Sequence, residues 1–274
     1  MMILLLLFVP YEIEAGSMQI VDRNKNIFRD GVEVRSPNLF LKAETGIEMR
    51  DYLVMEGNVR LQSGTFRLKS RKLKYYVPSK TLYAMGRVEI WNRGNITGDS
   101  LIFYQRSESG KMFGNLRYVA DTITVTGGYG KFSRDSLEVR GNPRFISPSM
   151  TVSSKLIKFA VKDSSFLFLS NVTFDGSGVS GKAERLQHSI KTNISTISES
   201  PYILQKTDSI TGDKIEVDHR RKILEVYKGL SISNTAEGRN IVSGDTLKIF
   251  YSKNTMDSVI VVSNANGRFN KKEP

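Results

Sequence analysis

His188 and His219 are the only imidazoles in this 274-residue sequence, and it contains no cysteine. Without thiols there is no Cys nucleophile, no iron–sulfur cluster and no thiolate-bound zinc. Neither histidine has a metal-binding partner four residues further on, so no metal site, catalytic triad or cofactor is expected. The remaining groups with a chemical pattern are Asp99, Asp213 and Asp245, which recur in Gly-Asp turns. Stacked in a parallel β-helix, such carboxylates beside basic residues would suit a polysaccharide lyase. One Asp per unit at the same turn is better explained by side-chain to backbone bonding within the turn. The chain is therefore read as a non-enzyme.

Charge points to a partner. Lys and Arg number 40 against 28 Asp and Glu, a formal charge of +12, with 39% hydrophobic and 25% charged residues. That balance excludes a collagen, a disulfide scaffold and a wholly disordered chain. Arg67, Lys69, Arg71, Lys72 and Lys74 form a local basic cluster. As a solvated edge strand it would oppose aggregation, and toward an anionic glycolipid headgroup it would offer charge-assisted hydrogen bonds. The aromatic residues are not laid out as a stacking platform beside these cations, so nucleic acid is not the expected ligand.

Residues 1–9 are an unbroken apolar run ending at Pro10, well short of the ~20 residues of a membrane-spanning helix. With Ala15 before Gly16, residues 1–15 read as a secretory signal peptide, although no basic residue precedes the apolar run. Cleavage there removes Glu12 and Glu14 and raises the formal charge to +14. Residues 16–274 then form a single elongated repeat domain of an exported protein.

The repeat is the strongest signal. Apolar residues flank short turns at Gly57-Asn58, Gly86-Arg87, Gly114-Asn115, Gly141-Asn142, Ser170-Asn171, Glu199-Ser200, Lys228-Gly229 and Ser263-Asn264. Successive rungs are 27–29 residues apart, with a last step of 35. Between them lies a second landmark, clearest in Gly98-Asp99-Ser100-Leu101, Gly212-Asp213-Lys214-Ile215 and Gly244-Asp245-Thr246-Leu247. Such a period marks stacked supersecondary units that cannot bury their apolar faces alone. Apolar and polar residues alternate in twos, as in Val88-Glu89-Ile90, so the units are strands. Lys182–Lys191 is the one window that tempts a helical reading, and the ladder demands a strand there. The fold is all-β, about eight two-strand repeats of ~29 residues, either a parallel β-helix or an antiparallel, V-shaped β-jelly roll.

Alternation assigns an inward face. From the Asp-turn strands it takes Leu73, Tyr75, Leu101, Phe103, Ile215, Val217, Leu247 and Ile249. From the rung strands it takes Val59, Leu61, Val88, Ile90, Phe145, Val172, Phe174, Ile203, Leu230 and Ile232. A register slip of one residue would invert the whole set. Trp91 falls on the opposite parity to Val88 and Ile90.

The pairing of a Gly-Asn-Val turn with a later Gly-Asp-x-Leu strand resembles the OstA-like, LptA-like family of periplasmic lipopolysaccharide-transport bridge proteins. Lys228-Gly229-Leu230 through Ser243–Tyr251 carries it best, echoed by Ala84–Val88 through Gly98–Leu101, and it covers roughly residues 30–267. The resemblance implies an open, twisted β-jelly roll whose apolar groove holds the acyl chains of lipopolysaccharide while sugars and phosphates stay in water. It also implies pairing end to end with further copies, or with related jelly-roll domains of inner- and outer-membrane components. The physics agrees, because acyl burial is worth about 0.8 kcal/mol per methylene, and a groove removes the barrier of crossing water. An open repeat also leaves unpaired edge strands, and eight strands per layer extend roughly 38 Å. A lipid-free scaffold that only pairs these edges is the competing reading.

Overall fold

The computed structural model describes residues 11–37, 39–91, 94–148, 150–176, 179–235, 238–252 and 255–271. The chain divides into two compact units, Met1–Val139 and Arg140–Pro274. The apolar run at residues 1–9 lies outside the described residues, and Ala15 and Gly16 sit inside the first strand.

In the first unit the strands are β1 (Glu12–Asp22), β2 (Lys25–Ser36), β3 (Leu39–Ala43), β4 (Thr45–Met49), β5 (Tyr52–Ser63) and β6 (Phe66–Tyr76). They continue with β7 (Thr81–Trp91), β8 (Asn95–Tyr104), β9 (Ser109–Ala120), β10 (Ile123–Phe132) and β11 (Ser136–Arg140). The second unit holds β12 (Arg144–Ile146), β13 (Thr151–Ser153), β14 (Leu156–Ala160), β15 (Ser165–Gly176), β16 (Val179–Ser189), β17 (Ile194–Ser198) and β18 (Tyr202–Gln205). It ends with β19 (Asp208–Thr211), β20 (Lys214–Asp218), β21 (Ile223–Thr235), β22 (Gly238–Ser252), β23 (Thr255–Val262) and β24 (Asn266–Lys271). Among the described residues the single helical turn is Gln105–Ser107. The tempting window at Lys182 is strand β16, as its ladder position required.

Neighbouring strands run antiparallel, which removes the parallel β-helix and with it the lyase-like stacking of carboxylates. Each long strand belongs to two ladders. In β5, residues 52–56 pair with β4 and with the end of β6, whereas residues 59–63 pair with β3 and the start of β6. The same division recurs in β7, β8, β9 and, in the second unit, β15 and β16. Each unit is thus two ladders, here layer A and layer B, joined where the strands turn a corner. This is the expected β-jelly roll.

The rungs make the corners. Gly57-Asn58 on β5 faces one residue, Arg71, on β6, and Gly86-Arg87 on β7 faces that same Arg71. Gly114-Asn115 on β9 faces Asp99 on β8. Two residues against one is a β-bulge, which bends a strand and sharpens its twist. All eight rungs read from the sequence carry left-handed backbone, for example φ of 81° and 45° at Gly57 and Asn58. A ninth rung, Asp30-Gly31, has φ of 64° and 86° and sits opposite Gly16. Its signal was present in the sequence: it lies one period before Gly57, between Phe28 and Val32.

Candidate functional site

The space between the layers is the apolar interior. In layer A of the first unit, cross-strand neighbours Met55, Leu73, Ala84, Leu101 and Met112 form one inward row. In the second unit the row runs Ile157, Phe168, Leu186, Ile197, Ile215, Val226 and Leu247. All of these are at most 2% exposed. Layer B supplies the opposing surface, with Leu41, Leu61, Leu68 and Ile90 in register across four strands. Rings span the gap: Phe66 of layer B stacks on Phe103 of layer A at 5.9 Å, and Phe145 meets Phe166 at 4.8 Å.

Val59, Leu61, Leu73, Tyr75, Val88, Ile90, Leu101, Phe103, Phe145, Val172, Phe174, Ile203, Ile215, Val217, Leu247 and Ile249 are all buried. Leu230 and Ile232 are not. In β21 the inward residues beyond the corner are Gly229 and Ser231, the latter facing the buried Ile210 on β19. The cause is the rung itself. At Lys228 one left-handed residue faces one residue, Asp245, so the inward parity changes there, whereas a two-residue rung preserves it. Leu230 and Ile232 therefore lie on the outward face.

In the second unit the interior opens beside β22, β23 and β24. Ser231, Val242, Met256, Val259, Val261 and Phe269 are among the residues around a recess of ≈ 470 Å³ beside β22, β23 and β24. The buried row that ends in Leu247 continues across the strand pairing into Val261, which is only half-buried. Neighbouring Ile260 and Val262, on β23, are 52% and 44% exposed, and Phe269 is 70% exposed.

Polar groups interrupt the apolar rows at the layer margin. Tyr75 donates from its hydroxyl to Gln105 Oε1 at 2.8 Å, and burial pushes the phenol up to about 12, so it stays a neutral donor. The two histidines meet there in the second unit, which no local spacing announced. His188 Nδ1 lies 3.0 Å from Ser195 Oγ, and His219 Nε2 lies 2.8 Å from that same oxygen. His188 and Ser195 are cross-strand neighbours, and His219 arrives from beyond β20, one strand further on. The hydroxyl has one proton to give, so it donates to one ring and accepts from the other. Burial, and secondarily the charge of His219, lowers the His188 pKa to about 4. Two neutral rings bridged by a buried hydroxyl make a structural link, and no cluster of three or more His, Asp or Glu suited to a metal occurs among the described residues.

The recurring aspartates are corner posts, but their bonds differ from the expected local turns. Asp99 accepts from Asn115 Nδ2 at 3.0 Å and Asp245 from Asn264 Nδ2 at 2.8 Å, both across strands. Asp213 pairs with Lys228 Nζ at 3.1 Å. At Asn115 and Asn264 the bulge turns the rung's side chain toward the carboxylate, whereas Lys228, which faces the next strand one residue to one, reaches Asp213 with its long side chain.

The basic cluster splits three ways. Arg67 and Lys69 point outward from layer B, and Arg71 lies at the corner against Gly86. Lys72 is paired with Glu56, and Lys74 lies over the rings of Tyr52 and Tyr76 at 4.2 and 4.5 Å. Trp91, on the outward parity, lies under the Lys69 ammonium at 4.8 Å.

No curated protein matches the chain. Among solved structures it is similar to LptH of Pseudomonas aeruginosa, the LptA-homologous periplasmic component of the lipopolysaccharide transport device. The two share 10% identity over 70% of this chain and 84% of that one, with a TM-score of 0.19. The family model described as LptA/(LptD N-terminal domain) LPS transport protein matches residues 45–223, well over half of the sequence. That match, over six of the eight rungs and the Gly98-Asp99 and Gly212-Asp213 strands, places the chain in the LptA/LptD N-terminal-domain family of lipopolysaccharide transport proteins.

Proposed function

We propose that this chain binds lipopolysaccharide between its two β-layers and hands it along from the inner toward the outer membrane within the periplasm, without forming or breaking a covalent bond. The observation that carries the reading is the apolar row crossing the strands of layer A, fully buried at Leu247 and emerging half-buried at Val261 beside the recess. Each acyl methylene moved from water into such a surface gains about 0.8 kcal/mol. Side chains along the row are alike, so a chain sliding from one strand to the next meets similar free energies, which favours passage over trapping.

Without a guest, the interior is filled by its own side chains. A chain entering at Val242 and Val261 displaces little, whereas a chain passing deeper must part ring contacts such as Phe145 with Phe166. Groove binding is therefore a wedge between the layers, nucleated at the open end. The eighteen inward residues named from the sequence are proposed contacts, with Leu230 and Ile232 withdrawn because they face outward.

Partners follow from the edges. Among the described residues, β1 pairs only with β2, and β23 and β24 only with β22. Met18 and Ile20 on β1 are 59% and 68% exposed, so both edges are apolar and unpaired. Such edges accept another strand, which supports head-to-tail pairing with a second copy or a related jelly-roll domain.

A photo-reactive benzophenone side chain placed singly at Val261, Leu230 and Ile260 of the full chain tests the interior reading. With purified lipopolysaccharide, crosslinking is expected at Val261 and not at the outward Leu230 or Ile260. Equal labelling at all three, or none at Val261, would sink it and favour the lipid-free scaffold.

A further inference from the structure

The outward face of layer B in the first unit carries an arrangement that acyl-chain binding does not use. Phe40, Arg60, Gln62, Arg67, Lys69 and Trp91 surround a recess of ≈ 860 Å³. Arg60 on β5 is directly opposite Lys69 on β6, and Arg67 is flanked by Gln62 and Trp91. Facing side chains on adjacent strands have Cβ atoms about 5 Å apart, and like charges so placed repel. Arg60, Arg67 and Lys69 are in no ion pair among the described residues, and no carboxylate lines the recess. Glu89, opposite Lys69 on β7, is the nearest acid by register and leaves the patch with excess positive charge. Two aromatic rings complete it: Trp91, capped by the Lys69 ammonium, and Phe40, 36% exposed, with the Arg35 guanidinium 5.9 Å from its centroid. Arg35 itself is committed to Glu33.

We propose that this recess binds the phosphorylated saccharide headgroup of a glycolipid. Cations at facing and diagonal positions of adjacent strands match an anion with several oxygens, and guanidinium groups bind phosphate in two-pronged fashion. Aromatic faces suit the apolar C–H faces of a sugar ring, a contact that simple anions cannot make. The Lys69 ammonium is poised over the indole, so engagement of a phosphate draws it away and uncovers the ring. Position matters as well. Gly64 and Gly94, in the turns at the margin of layer B remote from the corner, also line the recess. A lipid whose chains already lie between the layers can fold its headgroup over that margin onto the outer face. The identity of the saccharide rests on the lipopolysaccharide reading above, and the recess itself rests only on its own geometry.

Trp91 is the only tryptophan in the chain, so its emission reports this site alone. The full chain is titrated with an acyl-free, bis-phosphorylated glucosamine disaccharide. A saturable change in emission is expected, weakened at least tenfold by Arg67→Gln with Arg60→Gln and several-fold by Phe40→Ala, all exposed positions whose loss leaves the core intact. The unphosphorylated disaccharide should give no response, and inorganic phosphate should bind at least tenfold more weakly. No saturable change, or an unchanged affinity in the Arg60 and Arg67 variant, overturns the proposal. Inorganic phosphate binding as tightly as the disaccharide also overturns it, leaving an anion patch that does not recognise sugar. Because the probe has no acyl chains, failure here is separate from failure of crosslinking at Val261.

Discussion

Asn115 donates from Nδ2 to the carboxylate of Asp99 across 3.0 Å, joining β9 to β8 at the corner between the two layers. The same relation holds between Asn58 and Glu44 at 2.5 Å and between Asn264 and Asp245 at 2.8 Å. At these three rungs the amide meets a carboxylate that lies earlier in the chain, whereas at Asn171 the backbone N–H donates to Glu184 on the strand that follows. Asn115 and Asp99 are both exposed, so their bond is worth about 0.5–1.5 kcal/mol. Asn115→Ala is expected to lower the urea-unfolding free energy by at least that amount, because Ala also tolerates the φ of 45° less well than Asn, and Asp99→Ala is expected to add almost nothing in its presence. Additive losses would show that the two groups do not act together.

Gly114 tests the corner more severely. Its φ is +69°, and a Cβ built on it would lie 2.1 Å from Asp99 Oδ2. Gly114→Ala therefore combines left-handed strain with displacement of the carboxylate, about 1–3 kcal/mol in all. Truncating Asp99 to Ala removes the obstacle, so Gly114→Ala should cost less in that background. An identical cost with and without the Asp99 carboxylate would assign the whole effect to backbone strain.

Burial gives unequal weights to two phenylalanines. Phe166 is fully buried and contacts Phe145, Phe159 and Phe168, whereas Phe269 is 70% exposed at the recess. Phe166→Ala should cost about 3–5 kcal/mol and Phe269→Ala under about 0.5 kcal/mol in a denaturation series. Comparable losses would mean that the interior is looser than its burial indicates.

Acid should loosen the second unit before the carboxylates titrate. Burial, with the charge of His219 second, holds the His188 pKa at about 4, below its ordinary 6.5. The unfolded chain gains a proton as pH falls through 6.5 and the folded chain does not, so stability is full above that pH and declines toward about 4. The partly exposed ring limits the loss to about 1 kcal/mol between pH 7 and pH 5. Glu33 and Glu225, held low chiefly by hydrogen bonds from Lys42 and Lys248, lose their contributions at lower pH still. Burial also lowers the His219 pKa, so His188→Gln should reduce, and not abolish, the slope of the stability profile between pH 7 and pH 5 while leaving the acid limb. A profile unchanged by the substitution would remove His188 from the account.

What the sequence made legible follows from which features are local. Rungs such as Gly57-Asn58 announce themselves because left-handed backbone selects Gly and Asn, and period-two alternation reveals which residues of Val88-Glu89-Ile90 turn inward. Leu230 and Ile232 were misassigned because inward parity depends on whether a rung inserts one residue or two, and that is settled only against Asp245 on the neighbouring strand. His188, Ser195 and His219 meet through strand order, so sequence spacing carries no trace of them.

That parity rule decides how the interior should be probed. Leu101 and Ile90 are 1% and 2% exposed, so an Asp at either position buries a charge in a packed core and lost lipid binding would reflect unfolding. Val261 is only half-buried, on the inward row where the recess begins, and Asp there can reach water. Val261→Asp is expected to keep the unfolding free energy within about 1 kcal/mol of the parent. It should nonetheless weaken lipopolysaccharide binding at least tenfold, because every entering chain must pass a charge that resists desolvation. Ile260→Asp, one residue away and 52% exposed on the opposite face, should leave both quantities unchanged. Parallel calorimetric titrations of the two variants separate the cases. Equal weakening by both would indicate general electrostatic repulsion of an anionic lipid by an added acid, and normal binding by Val261→Asp would move the entrance away from this end.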